Sequence, residues 1–421
     1  MKTRILLPNE SHRAGLVRAV CFEGNLDYEA EREKELAMTP EEIEAAQRFP
    51  ETDGPALPSD HLPPHRDWGA FSDDGETLIG CVNVNTYPIR FDGKETLMGG
   101  IGGVATLPPY RRGGAIRACM QAAFRQMYDD GFAFSTLYPF SRAYYRQFGF
   151  EDGGPVHEWE ISLSALKNTF PGGTIRQLFS WDDLSPLTAI YNRFYKGCNL
   201  SVIRREFDPS LAKENLLNQQ RYIYLWEDAQ GNPRGFFISK KQDRVLDCST
   251  GFRLKNAFLA LDAEAYGALF AFARTAFAAD YDAIRLILPG HISPASLISE
   301  GNQVSCKRSS NGMVRAVSVP LVLESCRCRG EGQVKIEISD PLLPENCGVW
   351  LLEFAEGRPN RVCRTAEQPD ITLPVSAFSA LICGIRSAEE LPMMPEAAVR
   401  NPAALLDRVF YRKPCHFLDL F

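Results

Sequence analysis

The segment from Val104 to Arg117 does most to limit what this chain can fold into. It reads Val-Ala-Thr-Leu-Pro-Pro-Tyr-Arg-Arg-Gly-Gly-Ala-Ile-Arg. Residues 96–107 have strand-like patterning with a glycine-rich middle, and glycines inside a strand mark a bulge or a close backbone approach. Pro108 and Pro109 break that strand. Ile116, Cys119, Met120, Ala123, Phe124 and Met127 then recur at helical spacing. A strand therefore runs through a proline-broken turn and Arg111-Arg112-Gly113-Gly114 into an amphipathic helix. Glycines at a helix start let a ligand approach the backbone, and the free N–H groups and helix dipole favour an anion there. Two arginines add donors suited to phosphate. That is the physics of a pyrophosphate site. Other phosphate motifs fail. No G-x-x-x-x-G-K-[ST] is present, and Gly100-Ile101-Gly102-Gly103-Val104-Ala105 leads into strand and prolines instead of a helix.

The 421 residues suggest about three domains at roughly 150 residues each. Hydrophobic residues at 45% and charged residues at 24% exclude a disordered, collagen-like or coiled-coil chain. The 46 basic and 53 acidic residues leave a charge of −7, whereas a nucleic-acid binder carries a basic excess, so no nucleic-acid partner is expected. The apolar run Ile5-Leu6-Leu7 stops at Pro8, and no stretch approaches the roughly 18 apolar residues that span a bilayer. A cytoplasmic chain with no signal peptide and no membrane contact is the expectation. The twelve cysteines contain no C-x-x-C pair and read as reduced thiols in that compartment. Without paired ligand spacing, no metal is expected.

Further strands are predicted at residues 3–7, 77–85, 87–91 and 132–138, and helices at 11–22 and 28–49. The order strand, helix, strand recurs at residues 257–261, 263–278 and 283–288. There Asp262-Ala263-Glu264 replaces the arginines and glycines, and an acidic helix start repels a pyrophosphate. Residues 155–301 therefore read as a degenerate, cofactor-free copy. Beyond Gly301, residues 334–338 and 349–354 alternate, and 369–384 read as a strand turning into an apolar helix.

The Arg111-Arg112-Gly113-Gly114 helix start, the strand ending Leu137-Tyr138-Pro139, and Tyr144-Tyr145-Arg146-Gln147-Phe148-Gly149-Phe150 together resemble the GCN5-related N-acetyltransferases. The resemblance implies that Arg111, Arg112, Gly113, Gly114, Ala115, Ile116 and Arg117 bind the pyrophosphate of acetyl-coenzyme A. It also implies that Val104, Ala105 and Thr106 hold the thioester and pantetheine arm, with Phe140 and Ser141 near the cofactor. Residues 369–384 look like part of a sterol-carrier-protein-like domain. Tandem acetyltransferase copies with such a tail resemble the enhanced intracellular survival family.

That resemblance implies an α+β fold of tandem GCN5-related N-acetyltransferase folds, mixed sheets flanked by helices, followed by a sterol-carrier-protein-like α/β domain. Its domains are 1–154 (catalytic), 155–301 (degenerate copy) and 302–421 (sterol-carrier-like). It implies acetyl transfer from acetyl-coenzyme A to a primary amine, of a polyamine-like or aminoglycoside-like small molecule or of a lysine. Tyr145 would be the general acid, with Tyr144 as the neighbouring alternative, and the Phe421 carboxylate the general base. A homo-oligomer, by resemblance a hexamer, is expected. Glu23, Asp27 and Asp419 are candidates for recognising a cationic acceptor. The alternative is a non-catalytic coenzyme A-binding sensor or assembly protein with a ligand-binding tail.

Overall fold

The computed structural model describes residues 1–49, 55–206, 211, 216–217, 220–248, 258–299, 301–310 and 312–417. Residues 1–153 contribute β1 (Lys2–Ile5), α1 (Ser11–Phe22), α2 (Tyr28–Leu36), α3 (Pro40–Ala45), β2 (His65–Phe71), β3 (Leu78–Phe91), β4 (Lys94–Thr106), α4 (Ala115–Asp129), β5 (Phe132–Leu137), α5 (Arg142–Arg146) and β6 (Glu151–Asp152). The helix expected over 28–49 is two helices. Pro40 cannot continue α2, and Thr39 restarts the chain by accepting from Glu42 N while Glu42 caps Thr39 N. The two strands expected before Asp92 are one. Pro88 is tolerated because β2 pairs β3 only as far as Asn85, so the missing N–H faces no strand.

Residues 154–310 contribute β7 (Pro155–Ser162), β8 (Thr174–Leu178), α6 (Ser185–Phe194), β9 (Arg221–Glu227), β10 (Pro233–Gln242), β11 (Val245–Asp247), β12 (Phe258–Ala260), α7 (Ala263–Phe277), β13 (Ala283–Pro289) and β14 (Val304–Ser310). Their sheet runs β14-β7-β13-β11-β10-β9-β8, with β12 paired to β10. Trp226, Phe236, Phe237 and Leu269 are central to its core. The expected strand–helix–strand order is present, but the pairing departs from a simple copy. β12 runs antiparallel to β10, and the parallel neighbour of β13 is β11. Residues 304–310, assigned from sequence to the third domain, pair with β7. The chain returns here at its end: Asn199 N donates to Pro414 O (2.8 Å), His416 N to Asn199 O (3.0 Å), and His416 stacks on Tyr195.

Residues 312–413 contribute β15 (Met313–Ala316), α8 (Val319–Ser325), β16 (Gly332–Ser339), β17 (Gly348–Phe354), β18 (Arg361–Arg364), β19 (Ile371–Pro374), α9 (Val375–Ile382), β20 (Ala398–Val399) and α10 (Leu406–Val409). A small sheet, β18-β17-β16-β19-β20, packs on α9, whose side chains from Ala377 to Ile382 are all buried. β15 lies instead in the N-terminal sheet, whose order is β1-β2-β3-β4-β5-β15-β6. Among the described residues, those of 1–153 and 312–413 accordingly form one compact unit, and those of 154–310 with 414–417 a second. Beneath the first sheet, α4 buries Cys119, Met120, Ala123, Phe124 and Met127, the face its periodicity predicts.

Candidate active site

Two features of β4 shape the site. Cys81 pairs with Ala105 and Asn83 with Gly102, so Gly103 and Val104 together oppose Val82. This is a bulge, and Gly103 adopts the left-handed φ of 56° that favours glycine. Pairing with β5 ends at Ile101–Leu137, while β4 continues to Thr106. Among the described residues, Val104, Ala105 and Thr106 therefore have no strand on that side. An extended ligand arm can add to such an edge as a strand does.

Past the prolines, the turn holds Arg112 at φ 67° and Gly114 at φ 85°. Gly114 begins α4 without a side-chain cap and without an acid in the first turn. The first N–H groups of the helix are left for a ligand, with the positive end of the dipole behind them. A Cβ at Gly114 would meet no atom within 4 Å, so the turn stands open.

These elements wall a cavity of about 790 Å³. Of the predicted cofactor residues, Val104, Ala105, Thr106, Arg111, Arg112, Gly114, Ala115, Ile116, Arg117 and Phe140 line it. Gly113 and Ser141 do not. Gly113 N donates to Tyr110 O within the turn, and Ser141 caps α5 by accepting from Tyr144 N. Sequence reasoning missed Cys21, Phe22, Tyr110, Gln147 and Phe148, which also line the wall. Phe22 carried a usable signal, an apolar side chain on the exposed face of an amphipathic helix. Arg117 donates to Gln147 Oε1 at 2.7 Å and tethers α4 to the chain after α5.

The two tyrosines differ. Tyr144 lines the cavity, whereas Tyr145 is 3% exposed and packs among Phe140, Tyr144 and Phe150. Burial pushes the Tyr145 phenol above its ordinary value, with the Tyr144 ring adding to the shift. Burial also raises Tyr144, but Arg117 opposes it. Glu23 closes α1 in a left-handed conformation, and Asp27 caps α2 by accepting from Ala30 N, so both have local structural work. Phe421 and Asp419 lie outside the described residues.

The second unit offers the contrast. Asp262 accepts from Ala265 N at the start of α7, and Arg234 pairs with Asp262 and Glu264 at 2.5 and 2.6 Å. That helix start is closed by carboxylates and their own arginine.

A family model described as acetyltransferase (GNAT) domain matches residues 37–153. The fold of this part of the chain is a GNAT fold. A sterol carrier protein domain matches residues 319–417. No curated protein matches the chain by sequence. Solved structures similar over all of this chain include a probable N-acyltransferase from Enterococcus faecalis V583 (21% identity, TM-score 0.80, 99% of that chain). Another is a GCN5-related N-acetyltransferase from Anabaena variabilis ATCC 29413 (18%, 0.78, 100% of that chain). A third is Eis1 from Mycobacterium abscessus (19%, 0.72, 99% of that chain). At these identities the likeness establishes the fold, a GNAT fold with mixed sheets flanked by helices and a sterol-carrier domain. Apart from Cys21 and Phe22, the residues lining the cavity all lie within the matched segment 37–153. Among the described residues no group of three or more His, Cys, Asp or Glu is placed to hold a metal ion, and no helix is long and apolar enough to cross a membrane.

Proposed function

We propose that the chain transfers an acetyl group from acetyl-coenzyme A to a primary amine, of a small polyamine-like or aminoglycoside-like molecule or of a lysine. One observation carries this reading: a single cavity combines the uncapped start of α4, with Arg111, Arg112 and Arg117, and the unpaired edge of β4. A pyrophosphate fits the first and an amide-bearing arm the second. Backbone groups of Val104, Ala105 and Thr106 would hold the arm and orient the thioester, which supplies the acyl group. The second unit, with its acid-closed helix start, is read as a copy that has lost the cofactor. The resemblance that points to the enhanced intracellular survival family also carries a homo-hexamer, which sedimentation of the purified chain tests.

Tyr145 is the proposed acid. At its ordinary value near 10 the phenol already keeps its proton at pH 7; burial raises it further and makes it a weaker acid, so it donates toward the sulfur only as charge builds there. The Phe421 carboxylate is the proposed base. At the ordinary α-carboxyl value of about 3.5 it is weak in water, and an apolar setting would strengthen it. The direct test is thiol release from acetyl-coenzyme A with a panel of amines. No release with any amine, despite binding of the donor, overturns the reading.

Tyr145→Phe is expected to lower kcat about a hundredfold with the donor KM unchanged, and Tyr144→Phe less than about threefold. The reverse order would make Tyr144 the acid. A short extension beyond Phe421 is expected to cut kcat by about a hundredfold while donor binding persists, because it replaces the carboxylate with a neutral amide. Full activity of the extended chain would remove Phe421 from the mechanism.

A further inference from the structure

Away from the cavity, the first unit brings two thiols together. Cys326 follows α8 and Cys328 lies two positions on, a C-x-C spacing, with their sulfurs 3.7 Å apart. The intervening turn is firmly held. Asn360 Nδ2 donates to the carbonyls of Leu323 and Cys326 at 2.8 and 2.7 Å and approaches Cys326 Sγ at 3.4 Å. Arg327 N donates to Asp92 Oδ2 (2.7 Å), and Arg327 O accepts from Tyr411 Oη (3.0 Å) and Lys413 Nζ (3.3 Å). Lys413 and Asp92, with side chains only 4% and 6% exposed, pair at 2.6 Å. Both cysteines line a second cavity of about 560 Å³, so a small reagent reaches them from solvent.

The electrostatics separate the two sulfurs. Cys326 Sγ donates to Leu323 O at 3.2 Å and lies 3.7 Å from Cys328 Sγ, a contact across which either thiol can donate. That contact and the Lys413 ammonium hold the Cys328 thiol below its ordinary value, against burial and Asp92. The same contact and burial push Cys326 up. Cys328 is also the less buried of the two, so it is the sulfur a reagent meets first, with Cys326 behind it as the resolving thiol. Lys94, Glu324, Arg327, Glu356 and Arg358 also line this cavity and carry charge.

We propose that Cys326 and Cys328 are a redox-active dithiol that a small hydroperoxide converts to an intramolecular disulfide. The Cys328 thiolate attacks the terminal peroxide oxygen, and the O–O bond breaks. The leaving alkoxide takes a proton from solvent and departs as an alcohol, or as water from hydrogen peroxide. Cys328 is now a sulfenic acid. The Cys326 sulfur then attacks the Cys328 sulfur, the S–O bond breaks, and hydroxide leaves with the Cys326 proton as water. Two thiols are oxidised by two electrons and one peroxide is reduced. The sulfurs close from 3.7 Å to a bond of about 2.05 Å. With a single residue in the loop the disulfide is strained and easily reduced, so the step reverses with thiol. Closure turns the Arg327 peptide, which carries the bonds to Asp92, Tyr411 and Lys413.

Cys306 is the internal standard, since it is exposed and its thiol lies above the ordinary value. The reduced protein is treated with hydrogen peroxide at pH 7 and quenched at intervals with an alkylating agent. Cleavage after glutamate releases both cysteines in one peptide, residues 325–331, for mass spectrometry. That peptide is expected to lose two hydrogens about tenfold faster than Cys306 is oxidised, and to regain them with dithiothreitol. In Cys326→Ser a sulfenic acid on Cys328 is trapped by a 1,3-diketone, and in Cys328→Ser Cys326 stays reduced. Oxidation of Cys306 first or at the same rate, or oxidation of Cys326 in the Cys328→Ser chain, overturns the proposal. The wild-type time course decides the matter even if a variant fails to fold.

Discussion

Exchanging both Arg111 and Arg112 for glutamate is expected to weaken coenzyme A binding by about a hundredfold, close to 2.7 kcal/mol. Each lost charge-assisted hydrogen bond to phosphate contributes about 1.5–3 kcal/mol, and the new carboxylates repel the ligand, so the figure is a lower bound. Both side chains are exposed, and the helix they precede buries its opposite face without them. Surface changes of that kind stay within about 0.5 kcal/mol, so Tm should hold. Titration calorimetry at two salt concentrations separates the contributions. The wild-type affinity falls as salt rises, and the double variant loses most of that dependence. Wild-type stoichiometry should be one per chain, because Arg234 is already paired with Asp262 and Glu264 at the corresponding helix start. Unchanged affinity in the double variant would remove the turn from the binding site.

The largest stability effect is expected at Asp340. Arg315 and Asp340 are both fully buried and meet at 2.6 and 2.7 Å. Both of those bonds come from Nη2; Nη1 donates to Phe148 O, Nε has no hydrogen-bond partner among the described residues, and the plane lies over the Phe124 ring. Asp340→Ala leaves a buried cation whose remaining acceptor is one carbonyl, a loss of about 3–5 kcal/mol. For a unit of this size that lowers Tm by about 6–20 °C. Arg315→Met should cost less. The stranded carboxylate still accepts from Leu342 N, Leu343 N and Asn346 Nδ2, and burial already depresses the arginine it loses. Calorimetric scans of the two variants test the order. Equal losses would mean that neither charge is the costlier to strand, and a reversed order that the carboxylate is.

What was legible in the sequence was what local physics dictates. Pro108 and Pro109 end β4, glycines open the turn, and the spacing of Cys119, Ala123 and Met127 sets the buried face of α4, so that β–turn–α segment appears as expected. Pairing between distant segments was not legible. Nothing in Met313–Ala316 announces that it belongs between β5 and β6, because a four-residue strand carries no address. The same limit hid the β11–β13 pairing in the second unit. At the site, the motif pointed to adjacent tyrosines, but which one reaches the cavity depends on how α5 lies against Phe148 and Phe150. The C-x-C pair was overlooked because the expected redox and metal spacings are longer, and only the turn held by Asn360 brings the sulfurs together.

The placement of β15 has a consequence for the newly made chain. Arg315 and Phe148, which it joins, are 167 positions apart. At about 5–20 residues per second, a ribosome needs roughly 10–30 s to pass from one to the other. Through that interval the edge of β5 that β15 will cover stands open to pairing with another chain. The N-terminal sheet is begun early and completed late, so yield of the folded protein should fall as more chains are synthesised side by side.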